Sequence, residues 1–377
     1  LMAAQNWDDH DRSERYTAIA MAKNYLNSCE PNAILFTIGD NDTFPLWYAQ
    51  EIEKVRTDIK IVNTSLFMTD WYIDQMKMKT YESDGLPISF THEQYVGDKL
   101  DYAIHNPKTE NRWDINALLK FIGSDDPETI VEMQNGQKIH FYPTDKIRIP
   151  VDKNTIIKNK VVNPKNYDSI VPYIDIKLKG SALYKNRLMM LDVLANNKWK
   201  RPIYFTGGSF GDDDYLWMKD YLQLEGLVYK LVPIRTPIPK DGSPLDMGQI
   251  DSDKMYDIVM KWDWGNGESK TIYHDPETRK NSISYRSNLS RLMQKLIDEG
   301  KIVKAKKVIE LAMTKMPLDY YGYYSLVDPF ASGYYQVGEN TKARQLLEQL
   351  MTKYKENLKY YNTLKPTEQS YIAIDIV

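Results

Sequence analysis

The sequence predicts an α/β fold: a mostly parallel sheet with flanking helices and a small β-rich insertion, followed by an all-α segment of helical repeats. Three observations carry this expectation. Asn32 to Asn63 reads as strand, acidic turn, helix, strand. The same alternation returns between residues 181 and 234, after a run of short β-type segments at 124–180. Residues 281–377 then repeat a helix–glycine–helix pattern.

Ala33 to Thr37 is an apolar run of strand length. Gly39-Asp40-Asn41-Asp42 breaks it with residues that tolerate turn backbone. Asp42 or Thr43 is expected to cap a helix with Pro45 in its first turn, where a missing N–H costs nothing. Leu46, Trp47, Ala49, Gln50 and Ile52 to Val55 carry that helix, and Ile59 to Val62 is the next strand. A unit of this length implies two parallel strands joined by a right-handed crossover.

Upstream, residues 5–13 are polar, with Trp7 and His10 set among Asp8, Asp9 and Asp11. Such a cluster invites a metal reading, but carboxylates in an extended run point in alternate directions, so a linker ending in a cap at Asp11 or Ser13 is preferred. Ser13 to Asn27 has helical spacing. Downstream, Thr69 or Asp70 caps a helix from Trp71, and Glu93–Asn106 and Asp114–Ile122 read as helices of an insertion over the sheet edge. Within 124–180, TIVEM and KIHFYP are the clearest paired strands, turning at Gln134-Asn135-Gly136; IRIPVDK and NTIIKNKVV read as further β runs. The insertion is expected to be mostly antiparallel. Ser181–Asn196 then reads as an amphipathic helix, Pro202–Thr206 as a strand, Asp214–Leu224 as a helix and Gly226–Ile234 as a strand. Residues 235–250 are a connection rich in Pro and Gly, and Lys261 to Gly267 a loop.

The C-terminal repeat has an offset of 38 residues. It lays Gly300 on Gly338, Ala305 on Ala343, Val308 on Leu346, Leu292 on Phe330 and Leu296 on Tyr334. This resembles the tetratricopeptide pattern, stretched over its usual period of about 34 residues. Domains are therefore expected at 1–123 and 181–250 (the two parts of the α/β domain), 124–180 (the insertion), 251–280 (a connector) and 281–377 (the repeats), with a terminal helix after Pro366.

Composition bounds the function. With 49 Lys+Arg against 52 Asp+Glu and a net charge of −3, nothing supports a nucleic-acid partner. The 28 Tyr suit half-buried packing first, and sugar or protein surfaces second. The lone Cys29 permits no internal disulfide and no Cys-based zinc site. No apolar run approaches the roughly 18 residues of a membrane span, and the abrupt start reads as a piece of something longer. There is no P-loop, no G-x-S-x-G and no H-E-x-x-H; His92, His105, His140 and His274 are scattered and read as packing or surface residues.

In an open parallel sheet, ligands gather beyond the carboxyl ends of the strands. Three such ends are polar: Asp40, Asn41, Asp42 and Thr43 after the first strand, Asn63 after the second, and Gly207, Gly208 and Ser209 after Thr206. If the strands are neighbours, these turns share one cleft. Asp40 and Asp42 are then candidates for a divalent cation or sugar hydroxyls, and Trp47, Trp71 and Tyr72 for an aromatic wall. Against this, Asp and Asn in a strand-to-helix turn commonly serve only as caps, and Asp212-Asp213-Asp214 reads as a helix N-terminus.

The stretches at 5–13, 32–51, 58–66, 69–75, 200–208 and 224–234 (among them GDNDTFPLWYAQE, TDWYIDQ, KRPIYFTGG and LEGLVYKLVPI) resemble the extramembrane portion of large Bacteroidetes-type membrane proteins. These form domain-of-unknown-function family 2723, described as protein O-mannosyltransferase-like; an animal transmembrane O-mannosyltransferase is similar. The resemblance implies a domain at the periplasmic face of the bacterial inner membrane, attached to a multi-spanning enzyme that transfers a sugar from a polyprenyl carrier. That superfamily's catalytic acids lie between early membrane helices, so no catalytic residue carries over and the piece is expected to be non-catalytic alone. Expected partners are its own membrane-spanning portion, an acceptor polypeptide or glycan, and a protein on the helical repeats. No resident cofactor is expected beyond a divalent cation. The alternatives are an autonomous metal-dependent enzyme at Asp40 and Asp42, or a purely structural or oligomerising domain.

Overall fold

Asn32 to Asn63 folds as the strand–helix–strand unit its pattern dictates. In a computed structural model describing residues 10–134, 136–209, 211–239, 242 and 246–369, helix α1 (Thr17–Ser28) leads into β1 (Ile34–Thr37), α2 (Gly39–Glu51) and β2 (Lys60–Asn63). Two compact units are resolved: Ala18–Ile258, and the residues up to Thr17 together with those from Val259.

In the first unit, α3 (Asp70–Met76) and the single turn α4 (His92–Tyr95) precede β3 (Tyr102–His105), β4 (Trp113–Asp114) and α5 (Ile115–Ile122). Strands β5 (Ile130–Glu132), β6 (Lys138–Tyr142) and β7 (Lys146–Pro150), helix α6 (Lys153–Lys158), β8 (Tyr173–Lys177) and β9 (Ala182–Tyr184) follow. Helix α7 (Lys185–Asn197), β10 (Ile203–Thr206), β11 (Leu222–Glu225) and β12 (Val228–Leu231) complete it, up to α8 (Ser252–Val259). Three sheets result, ordered β11-β12-β10-β1-β2, β5-β6-β3-β9 and β4-β7-β8.

All three are mixed rather than mostly parallel. In the first, β10, β1 and β2 run parallel while the β11–β12 hairpin adds antiparallel. Within the insertion itself the pairing is antiparallel as expected, β5 with β6 and β7 with β8, while its parallel pairs, β6 with β3 and β7 with β4, reach back to strands that precede residue 124. Asn135 of the β5–β6 turn lies outside the described residues. Ala22, Leu26, Cys29, Leu46 and Ala49 of the α1 and α2 regions close over Leu35, Ile59, Ile61, Tyr204 and Val228 in one buried cluster.

Several local expectations give way to identifiable forces. Helix α2 begins at Gly39, before the expected cap, so Pro45 lies inside it and one backbone bond, to the exposed Asn41 carbonyl, is forgone. Residues 13–16 stay out of α1, because the Tyr16 N–H bonds the Gly265 carbonyl at 3.1 Å. The helix expected at 93–106 stops after one turn: Gly97 and Leu100 take left-handed backbone (φ 67° and 54°), and Tyr102–His105 is drawn between β6 and β9. NTIIKNKVV was expected as strand but forms α6, capped by Asp152, which accepts from the Asn154 N–H at 3.0 Å. The helix expected at 214–224 is two short 3-10 turns and then β11; Leu216 and Trp217 turn left-handed (φ 52° and 58°) and end it. The helix 181–196 begins as β9, and α7 is buried on nearly every side rather than amphipathic.

The second unit holds α9 (Pro276–Asp298), α10 (Ile302–Lys315), α11 (Leu318–Tyr321), α12 (Asp328–Gln336), α13 (Asn340–Tyr361) and the short α14 (Pro366–Gln369). The two glycine-turned hairpins are α9–α10 and α12–α13, and Gly300 and Gly338 take φ 72° and 82°, backbone that side-chain-bearing residues avoid. Ala305, Ala343, Leu292, Leu296, Phe330 and Tyr334 are buried as the repeat requires. Arg15 belongs to this unit, donating at 2.8 Å to Oδ2 of Asp275, the N-cap of α9, whose Oδ1 accepts from the Thr278 N–H at 2.7 Å. Arg286 is fully buried and donates to the Met316 and Gly322 carbonyls beyond α10; burial pushes its guanidinium down to about 10. Trp7, Asp8 and Asp9 lie outside the described residues; Asp11 Oδ1 accepts from the Ser13 N–H at 2.8 Å, as a turn cap does.

Candidate functional site

Because β10, β1 and β2 are parallel neighbours, their carboxyl ends leave one edge of the sheet. The last residue of each strand is small and polar: Thr206, Thr37 and Asn63. All three are fully buried, and the first turn of α2 is laid across them. Thr206 Oγ1 donates to Asp42 Oδ2 at 2.8 Å. Thr43 Oγ1 donates its one proton to the Gly39 carbonyl at 2.7 Å, so it accepts from Thr37 Oγ1 at 2.6 Å and from Asn63 Nδ2 at 3.1 Å. Asn63 Oδ1 accepts from the Ser65 and Leu66 N–H groups, and the Asn63 N–H bonds Tyr72 Oη at 2.9 Å. The rim is thus a pre-ordered polar network spanning three strands.

Asp42 is its titratable member. Burial pushes its carboxyl up, while hydrogen bonds from Thr206 and the Ile38 amide pull the other way. Asp40 and Asn41 remain exposed. Since Asp40 and Asp42 both sit in α2, two residues apart, their side chains leave the helix on different sides and do not form one cation-binding pair. Among the described residues no three His, Cys, Asp or Glu stand together as a metal site would need.

Gly207, Gly208 and Ser209 follow β10 on the same rim. Ser209 Oγ donates to Asp214, which also binds Arg187; Arg187 Nε reaches Asp213 at 3.1 Å. Asp212 to Asp214 thus stand at the N-terminus of a single 3-10 turn, Asp213–Tyr215, rather than of the longer helix expected, and all three are held in ion pairs. Asn186, one residue before Arg187 on α7, donates to the Thr64 carbonyl at 3.0 Å and ties α7 to the end of β2.

Trp47, Trp71 and Tyr72 come together elsewhere, beside the edge strand β2. There α2, α3 and the segment 77–83 enclose a cleft of about 350 Å³. Trp71 is 58% exposed at its mouth, Trp47 is half-buried and Tyr72 is buried, with its phenol pushed up by burial to about 12. Tyr81 adds a further ring, its hydroxyl bonded to Glu51 and to Lys54 Nζ (3.3 Å). Lys60 lines the same cleft: its ammonium donates to the Met78 carbonyl at 2.8 Å and to Thr80 Oγ1 at 3.1 Å, both uncharged. Burial pushes it down to about 8. Aromatic walls with amide, ammonium and carboxylate groups suit a ligand that is apolar on one face and hydroxylated at its edges.

Thr206 was expected at the rim as part of the third polar strand end; Thr37, Arg187, Lys60 and Tyr81 were not singled out from the sequence. Thr206 meets Asp42 across a separation of 164 residues, and no local pattern announces such a contact. The histidines are packing or surface residues: His92 sits on Asp74, His105 stacks on Tyr142 and His274 on Tyr320.

A family model described as TMEM260-associated domain 2 matches residues 18–254. The chain belongs to this family. The match spans the first compact unit almost end to end, so both the rim and the β2 cleft are features of the TMEM260-associated domain. No curated protein and no solved structure matches the chain.

Proposed function

We propose that this chain is an extracytoplasmic accessory region of a multi-spanning, polyprenyl-sugar-dependent protein O-mannosyltransferase-like membrane protein of the family 2723 type. Its place is the periplasmic face of the bacterial inner membrane, where it holds the acceptor polypeptide or its glycan for the membrane-borne reaction centre. The family's name links it to a transmembrane protein, and no described helix is long and apolar enough to cross a membrane itself. The helical repeats serve a protein partner.

The observation that carries this reading is the β2 cleft, where Trp47, Trp71, Tyr72 and Tyr81 meet polar groups of Gln50, Gln75 and Lys60. The test is titration of the 377-residue chain with a mannosylated acceptor peptide, read by tryptophan fluorescence. Trp71→Ala should weaken binding at least tenfold, about 1.4 kcal/mol, and leave Tm within a degree or two, because Trp71 is largely exposed. Trp47→Ala is the poorer variant, since Trp47 also packs on the core cluster. Unchanged affinity in Trp71→Ala would remove the cleft from the reading.

A further inference from the structure

A second concave surface lies away from the β2 cleft. Two cavities, of about 610 and 530 Å³, share Lys179, Asp212 and Trp217 and so form one elongated groove. Tyr173, 41% exposed, lines one half, and Tyr184, 57% exposed, lines the other. Trp217 stands at the junction, half-buried, on backbone held in the left-handed region by its N–H bond to the Asp212 carbonyl at 2.7 Å. Its neighbours Tyr215, Leu216 and Met218 are buried, so the indole is presented from a rigid support. Two consecutive left-handed residues without glycine are costly, and such conformations persist where the surroundings impose them.

The charges of the groove are mixed and paired. Asp212 is bridged by Lys179 and by Lys219 (3.2 Å), and Arg235 meets Asp220 at 3.3 Å. Asp175 holds Arg148 at 2.8 Å, and that guanidinium lies 3.6 Å from the centre of the Tyr173 ring. A polyanion would meet these aspartates as well as the cations. An apolar peptide or acyl chain would strip water from several charges and return no hydrogen bonds. A hydroxyl group, in contrast, donates to a carboxylate and accepts from an ammonium at once, while a sugar ring's C–H face packs on an indole.

We propose that this groove binds a neutral oligosaccharide chain, with Trp217 as the central stacking platform and Tyr173 and Tyr184 as flanking ones. The groove is independent of the β2 cleft, and its ligand need not be an acceptor of sugar transfer.

The test is calorimetric titration of the full chain with neutral hexasaccharides (mannohexaose, maltohexaose and laminarihexaose), against heparin hexasaccharide and anionic phospholipid vesicles. At least one neutral hexasaccharide should bind, with an affinity changing less than twofold between 50 and roughly 300 mM salt, as expected where no counterions are released. Trp217→Ala should weaken it more than tenfold and Trp217→Phe less. Tyr184→Ala, at an exposed side chain that folding does not need, should weaken it at least threefold. Trp71→Ala should leave it unchanged. Binding of heparin or vesicles alone, no binding of any neutral hexasaccharide, or full affinity in both Trp217→Ala and Tyr184→Ala would overturn the proposal. A ligand lost in Trp71→Ala but kept in the Trp217 and Tyr184 variants would sink this groove and spare the β2 cleft; the reverse pattern would do the opposite.

Discussion

Lys60 is the residue whose setting makes the sharpest demand. Its ammonium is removed from water and bonded only to neutral oxygens; burial, then the Arg201 charge, lowers its proton affinity, against a smaller opposing pull from Asp84. The folded chain releases this proton near pH 8, whereas the unfolded chain keeps it to the ordinary lysine value. Between those values the unfolded state binds more protons, so this site adds stability as pH rises and penalises folding fully below pH 8. Lys60→Met abolishes that titration. The Tm of the wild type minus that of Lys60→Met should therefore be flat below about pH 7 and climb towards pH 10. A pH-independent difference in thermal melts would show that Lys60 is solvated. Asp42 is shifted upward by the same cause, burial, and the Thr206 hydroxyl that faces it is what makes the rim a network rather than a row of caps.

At the scale of elements, the β11–β12 hairpin is the tightest construction. Glu225 pairs with Val228, leaving Gly226 and Leu227 as a two-residue loop. Gly226 has φ 61°, and a Cβ there would stand 2.1 Å from Ser28 Oγ and 2.9 Å from Ile258 Cγ2. Left-handed backbone and overlap act together, so Gly226→Ala should cost roughly 3 kcal/mol. In a unit of this size that lowers Tm by about 6–12 °C, measurable by differential scanning calorimetry. A loss under about 1 kcal/mol would mean that the hairpin relaxes freely. The hairpin also carries Glu225 and Lys230 into a buried charge cluster with Glu30 and Lys254, so its register is held by ion pairs as well as by backbone bonds.

At the scale of the whole chain, the described residues divide into two compact units. The family match ends at residue 254, close to the end of the α/β unit at Ile258. The fragment 18–258 should therefore fold alone, with one cooperative thermal transition and a native near-ultraviolet spectrum. A fragment without near-ultraviolet signal would show that the α/β unit needs the helical one to fold. Both concave surfaces are lined by residues of this unit, so a folded fragment should retain the behaviour tested on the full chain.

Periodicity and turn chemistry alone were enough for the strand–helix–strand unit at 32–63, the β5–β6 hairpin and the two glycine-turned helix pairs, because each depends on contacts between near neighbours in sequence. The departures have two kinds of cause. Residues 102–105 became a strand because β6 and β9 were there to pair with it, and Pro45 was taken into a helix by the packing of Leu46 and Ala49. Helix α6 and the β11–β12 hairpin follow from local signals, the Asp152 cap and the two-residue turn at Gly226 and Leu227. The convergence of the strand ends and the trio of Trp47, Trp71 and Tyr72 were legible, but two things were not: that the trio lines a cleft apart from the rim, and that Trp217 comes to stand beside Lys179. Which side chains share a site is settled by long-range strand pairing and by where a turn is forced left-handed, and neither leaves a mark in any short stretch of sequence.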